Sequence, residues 1–199
     1  MKKRYLSLLI LGASALTLSS CGASEISLEE FKTQLDANSK KEAPGYTKAK
    51  MSVEIKNYKF ECSNKDVASI VEGTLNVSLK QALKAQGFDI DDNADLKKGY
   101  KDTTDCSAAE VKELLSIRYT GKTIGDEIDS EHAKFYKDGN KLKAVGSVKE
   151  ENISTTSAVY FDEYSYICGT ESDLLIEQKD GKDSIKLSLS ISSFYTFSK

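Results

Sequence analysis

Hydrophobic and polar positions alternate with period two over two long stretches of this chain. Ala49, Met51, Val53 and Ile55 alternate with Lys48, Lys50, Ser52, Glu54 and Lys56. Near the other end, Ile185, Leu187, Leu189, Ile191, Tyr195 and Phe197 alternate with Lys186, Ser188, Ser190, Ser192 and Thr196. Successive strand side chains point to opposite faces, so each stretch predicts a half-buried β-strand with one apolar face. In the first stretch the parity flips at Asn57, because Tyr58, Phe60 and Cys62 carry the apolar set on even numbers. A bulge or tight turn there would keep both sets on one face.

Other segments change period. Ser27-Leu28-Glu29-Glu30 reads as a capping box, with Leu28, Phe31 and Leu35 forming one helical stripe over residues 28–37. Pro44-Gly45, with the chain's only proline, closes that helix. Ser107-Ala108-Ala109-Glu110 is a second capping box, opening a helix over 108–117 that turns Val111, Leu114 and Leu115 inward. Residues 66–88 fit either a helix through Val67, Ile70, Val71, Thr74 and Leu75 or a strand over 74–79 followed by a short helix, and Ser63-Asn64-Lys65-Asp66 reads as turn chemistry. Residues 89–105 read as a polar loop. From Ala133 onward short strands alternate with turn signals at Asp138-Gly139, Asp162-Glu163 and Asp180-Gly181, which predicts an antiparallel meander.

The amino-terminal residues carry a different signal. Lys2, Lys3 and Arg4 lead into an apolar run from Leu6 to Leu18, followed by Ser19-Ser20-Cys21-Gly22. A basic start, a short apolar run and small residues before a cut describe a secretory signal, too short for a stable membrane span. Residues 1–20 are therefore expected to be removed, leaving a lipidated tether at 21–26 and one α+β domain over 27–199, a length suited to a single core. The signal holds three of the 28 basic residues and none of the 31 acidic ones, so the remainder carries 25 against 31, a balance of −6. Charges of both signs are spread along it, which argues against nucleic acid as a partner.

Chemistry-bearing residues are sparse. His132 is the single histidine and sits in the polar run Asp129-Ser130-Glu131-His132, which reads as an exposed loop. No G-x-S-x-G, S-x-x-K, H-E-x-x-H or phosphate-loop pattern occurs, so no catalytic residue, metal ligand or cofactor is assigned. Asp91-Asp92-Asn93-Ala94-Asp95 invites a calcium reading, but counted from Asp91 it lacks the glycine and the glutamate that an EF-hand loop places at its sixth and twelfth positions. Beyond Cys21, the cysteines are Cys62, Cys106 and Cys168. Cys62 with Cys106 is the favoured disulfide, since each falls between two elements while Cys168 lies within a strand-like run; the alternative is any other outcome, three free thiols included. Ten tyrosines and seven phenylalanines occur without a tryptophan. Tyr160, Tyr164, Tyr166 and Tyr195 are candidates to line a groove for an apolar ligand, with sheet-face packing as the plainer role.

Leu18-Ser19-Ser20-Cys21 resembles the lipobox of bacterial lipoproteins. The resemblance implies a diacylglyceryl thioether on Cys21, cleavage before it by lipoprotein-processing enzymes, acylation of the new amine, and attachment to the extracytoplasmic face of the cell membrane. Gly22 in place of aspartate implies outer-membrane sorting where the host has such a membrane. Two or more acyl chains suffice for durable anchoring. The order of elements, together with Val159-Tyr160-Phe161-Asp162-Glu163-Tyr164-Ser165-Tyr166-Ile167, is similar to half-barrel lipoproteins of the outer-membrane lipoprotein carrier type. That resemblance implies a curved antiparallel sheet with short helices packed on one face and an apolar cavity for acyl chains. The expected function is that of a non-catalytic, membrane-anchored lipoprotein binding a lipid or other apolar ligand; the alternative is an envelope protein that binds a protein or glycan through its outer face.

Overall fold

The computed structural model describes residues 23–125, 132–180 and 183–199. The signal segment and Cys21 lie outside the described residues. An open eight-stranded antiparallel sheet dominates, in the order β1-β4-β5-β6-β7-β8-β2-β3. The strands are β1 (Ser24–Ile26), β2 (Lys48–Cys62), β3 (Tyr100–Asp105), β4 (Ala133–Asp138), β5 (Lys141–Lys149), β6 (Ile153–Phe161), β7 (Ile167–Asp180) and β8 (Asp183–Ser198). The helices are α1 (Leu28–Ser39), α2 (Lys65–Ala85), α3 (Ala108–Leu114) and α4 (Gly121–Gly125).

The predicted meander is β4 through β8, and β2 then pairs with the final strand. Asn57 adopts φ +54°, and the β2–β8 register shifts between Lys56 and Lys59, so the expected bulge is present and keeps the two apolar sets on one face. The hairpin at Asp138-Gly139 turns on Gly139 at φ +58°. Both predicted helix starts are capped by their serines: Ser27 Oγ accepts the Glu30 amide, and Ser107 and Glu110 form a reciprocal box.

Register places the core. Phe135, Ala144, Val159, Thr170, Ser193 and Val53 are successive partners across six strands and therefore share a face. On that face two clusters form. Phe31 and Leu35 of α1, with Tyr119 and Ile124, pack on Phe135, Leu142, Ala144, Val159 and Phe161. Leu83 of α2, with Phe88, Ile90 and Leu96, packs on Met51, Val53, Ile55, Tyr58 and Leu187. Between them α3 runs from Cys106, whose amide donates to the Ala49 carbonyl (2.9 Å), toward Tyr119. At about 25 cal/mol per Å² of apolar surface, burial of these large side chains is the main stabilising contribution.

Four sequence expectations change. Residues 24–26 are not tether but an edge strand, with Ser24 opposite Lys137 and Ile26 opposite Phe135, too short to show a period. Residues 65–85 form one 21-residue helix, and Asn64 is its cap, accepting the Asp66 and Val67 amides. Residues 89–105 are no solvated loop: Phe88, Ile90 and Leu96 are buried, and Tyr100–Asp105 pairs with β2. The 108–117 helix stops at Leu114.

The favoured disulfide is also absent, since Cys62, Cys106 and Cys168 are all free thiols. Cys106 sits beside Ala49 at the start of β2 whereas Cys62 is its last residue. At about 3.3 Å per residue, the strand between them is about 40 Å long, against the roughly 7 Å between Cα atoms that a disulfide tolerates.

Candidate functional site

The four candidate tyrosines do not converge on one groove. Tyr195 pairs with Met51 on the helix-covered face and stacks on Phe197. Tyr46 joins this group, stacked on Phe197 with centroids 5.3 Å apart and meeting Tyr164 and Tyr166 edge-on at 6.2 and 6.4 Å. Arg118 lies over the Tyr166 ring, its guanidinium carbon 5.5 Å from the centroid. These rings fill space against one another. Tyr160 is on the opposite face, between the inward Val159 and Phe161, and pairs with Lys143 and Gly169.

Around Tyr160 the uncovered face carries a compact polar-aromatic group. The Phe194 ring packs on Tyr160 with centroids 5.1 Å apart, and Lys143 Nζ stands 4.8 Å above the Tyr160 ring. The Tyr160 hydroxyl donates to Glu171 Oε2 (2.5 Å), and Lys143 Nζ reaches the same oxygen at 3.9 Å. Burial, reinforced by that carboxylate, pushes the Tyr160 hydroxyl well above its ordinary pKa, and burial lowers that of Lys143. A proton donor with so raised a pKa and an ammonium seated on a ring suit recognition of a polar ligand better than proton transfer near neutral pH.

The β6–β7 turn between these groups is held by its own hydrogen bonds. Asp162 Oδ1 accepts the Tyr164 and Tyr166 amides at 2.9 Å each, and burial raises the Asp162 pKa. Ser165, at φ +64°, is fully buried and donates its hydroxyl to the Leu35 carbonyl (2.9 Å), locking the turn to α1.

The structure also forms a depression that sequence reasoning missed. It has a volume of about 490 Å³ and opens where β3 parts from β2. Lys56, Lys97, Lys98 and Lys101 line it with Glu54, Asn57 and Gly99. The β2–β3 ladder ends at Ile55 opposite Tyr100, and the positive φ of Asn57 and of Gly99 (+88°) turns the two chains apart just beyond. Glu54 is shared between Lys56 (2.9 Å) and Lys101 (3.7 Å), which holds its carboxyl below the usual range. The lysine-rich segment 97–101 was the available signal, but nothing in it points to residues 54–57.

His132 is exposed, and its carbonyl accepts the Ser147 amide (3.0 Å). In the acidic loop, Asp91 Oδ1 caps the Asn93 amide (2.7 Å) within the turn, and Asp92 pairs with Lys84 (2.5 Å), which ties the turn to α2. Among the described residues no group of three or more His, Cys, Asp and Glu side chains is placed to hold a metal ion, and no helix is long and apolar enough to cross a membrane. Comparison with protein-family models, with curated proteins and with solved structures found no match.

Proposed function

We propose that this protein is a non-catalytic binding domain of the cell envelope, held to the extracytoplasmic face of a membrane by lipid on Cys21, that engages a protein or glycan partner through the uncovered face of its sheet. The carrying observation is the asymmetry of the two faces: one is roofed by helices over two packed clusters, and the other presents Tyr160, Phe194, Lys143 and Glu171. The same asymmetry favours this reading over an acyl-chain carrier. Side chains of both clusters occupy the space between sheet and helices, where a carrier needs a cavity of at least ~300 Å³. Support for the anchor comes from the sequence alone, through the lipobox-like Leu18-Ser19-Ser20-Cys21.

Two measurements test the two halves. The mass of the amino-terminal peptide from membrane-extracted protein should correspond to an acylated Cys21, and Cys21→Ala should release the domain from membranes; an unmodified cysteine refutes the anchor. A photo-crosslinking residue at Ser190 or Ser192, beside the Tyr160–Phe194 group, should give a discrete adduct in cells, whereas the same residue at Lys112 on α3 should not. Adducts only from the α3 position would reverse the assignment of faces.

A further inference from the structure

We propose that the depression between β2 and β3 is a binding site for a phosphate group carried on a polyol or sugar. This goes beyond the reading above and does not depend on lipid at Cys21.

Charge supplies the first argument. Four lysines against one glutamate give the lining a charge of +3, while the whole chain stands at −3. Four cations lining one concave feature of an acidic protein make a local positive field. Their present carboxylate partners, Glu54, Asp95 and Glu72, offset three of the four charges and leave an excess of one. Glu54 is a single charge shared by two lysines. Lys98 meets Asp95 only at 3.7 Å, with 84% of its side chain exposed, and Lys97 pairs with Glu72 on α2; neither Asp95 nor Glu72 is part of the lining. The pairs of Lys98 and Lys101 are long and largely exposed, hence weak, so an arriving anion can recruit these two ammonium groups at little cost, whereas Lys97 stays with the half-buried Glu72.

Shape supplies the second. The feature lies where the bulge at Asn57 and the turn at Gly99 part the two strands. Its volume of about 490 Å³ is several times that of a bare phosphate and lies within the ~300–1,000 Å³ typical of small-molecule sites, which leaves room for an attached polyol or sugar. Lysines rather than arginines line it, which suits a rotating phosphate held by point charges better than a bidentate carboxylate. Glu54 and Lys101 face each other across the ladder on the uncovered side of the sheet, so the site opens toward the proposed partner surface.

The phosphate has two chemical sources, the headgroup of an anionic lipid or a unit of a phosphate-bearing envelope polymer, and the test separates them. Detergent-extracted protein is titrated with glycerol 1-phosphate at constant ionic strength, following the amide resonances of Asn57, Gly99 and Lys101. Saturable shifts are expected, weakened at least about fivefold in the Lys56→Gln/Lys98→Gln/Lys101→Gln variant. Glu54→Gln removes the only lining carboxylate and should tighten binding several-fold, an effect that a merely structural disturbance would not produce. In a second arm, binding to phosphatidylcholine vesicles with and without phosphatidylglycerol is compared between the native protein and the triple variant; any anchor contributes equally to both. A lysine-dependent preference for phosphatidylglycerol identifies the headgroup source, and solution binding without that preference identifies the polymer unit. Absence of both, shifts reproduced by sodium chloride, or weaker binding in Glu54→Gln would overturn the proposal.

Discussion

The aromatic ring of Phe194 lies across the α-carbon of Gly169, its register partner on the neighbouring strand. A β-carbon on Gly169 would come within 2.6 Å of Phe194 Cε1 and 3.1 Å of Cγ, so glycine here makes room for a ring that in turn packs on Tyr160. Gly169→Ala should therefore destabilise the fold by about 1–3 kcal/mol through overpacking. Adding Phe194→Leu should recover most of that loss. Denaturant midpoints of the single and double variants measure the coupling, and additive losses would contradict it.

Asn38 and Arg118 tie together segments that are remote in sequence. Asn38 is fully buried; its Nδ2 donates to the Asn140 carbonyl (2.7 Å) and its Oδ1 accepts from Gln34 (3.0 Å). Arg118 donates to the carbonyls of Asn38 (2.8 Å) and Tyr164 (2.9 Å). Removing either side chain leaves buried polar groups without partners, at about 1–3 kcal/mol each. Arg118→Lys should lose nearly as much as Arg118→Ala, because an ammonium cannot reproduce the planar fork. Thermal unfolding of the three variants provides the comparison.

Alkaline pH should weaken the fold in a defined window. Burial, with the Asp102 carboxylate accepting its hydroxyl proton, pushes Tyr100 up to about 12 from an unfolded value near 10. Its neutral form is thus favoured in the folded state, and the contribution is complete below pH ~10. As pH rises toward 12 the unfolded chain loses that proton more readily than the folded one, so stability falls. Tyr100→Phe removes this group's part of the fall between those limits. An unchanged pH slope in that variant would be inconsistent with the buried hydroxyl.

The three thiols of the domain predict a clear labelling pattern. Alkylation of denatured, unreduced protein should modify Cys62, Cys106 and Cys168, with a mass unaffected by prior reduction. In the folded protein Cys106 and Cys168 should react more slowly than a free thiol, since burial raises both and takes Cys168 to about 11. Cys168 should be the slowest, because so little thiolate is present near neutrality.

Much of the fold could be read from the sequence wherever one physical signal dominated. Period two marked β2 and β8, parity located the bulge at Asn57, and serine caps located α1 and α3. Elsewhere signals competed. In α2 the β-branched Val67, Ile70 and Val77 are exposed while Lys80 is buried, so its apolar stripe is blurred and its β-branched content suggests a strand. Phe88, Ile90 and Leu96 are interleaved with carboxylates, which hid a core-filling segment inside what reads as a polar loop. In β3 an edge position leaves only Tyr100 as an apolar marker. The candidate tyrosines divide between the two faces, Tyr160 from β6 on one and Tyr195 from β8 on the other, because sequence alternation does not reveal how a sheet face is roofed. The lysine depression was hidden for a further reason: it joins residues 54–57 to 97–101, which the β2–β3 pairing and the packing of Leu96 against β2 bring together.

The pairing of β2 with β8 also bears on how the chain can come to be folded. Lys48 lies opposite Ser198, so β2 gains its main partner only when a strand made much later is present. A chain emerging amino terminus first, from a ribosome or through a translocation pore, can assemble the β4–β7 meander as it appears but cannot close the cluster built on Met51, Val53 and Ile55. Such long-range closure is slow because the intervening loop must be ordered first. The architecture thus leaves the cluster on β2 open until β8 has been made, however much of the meander is already in place.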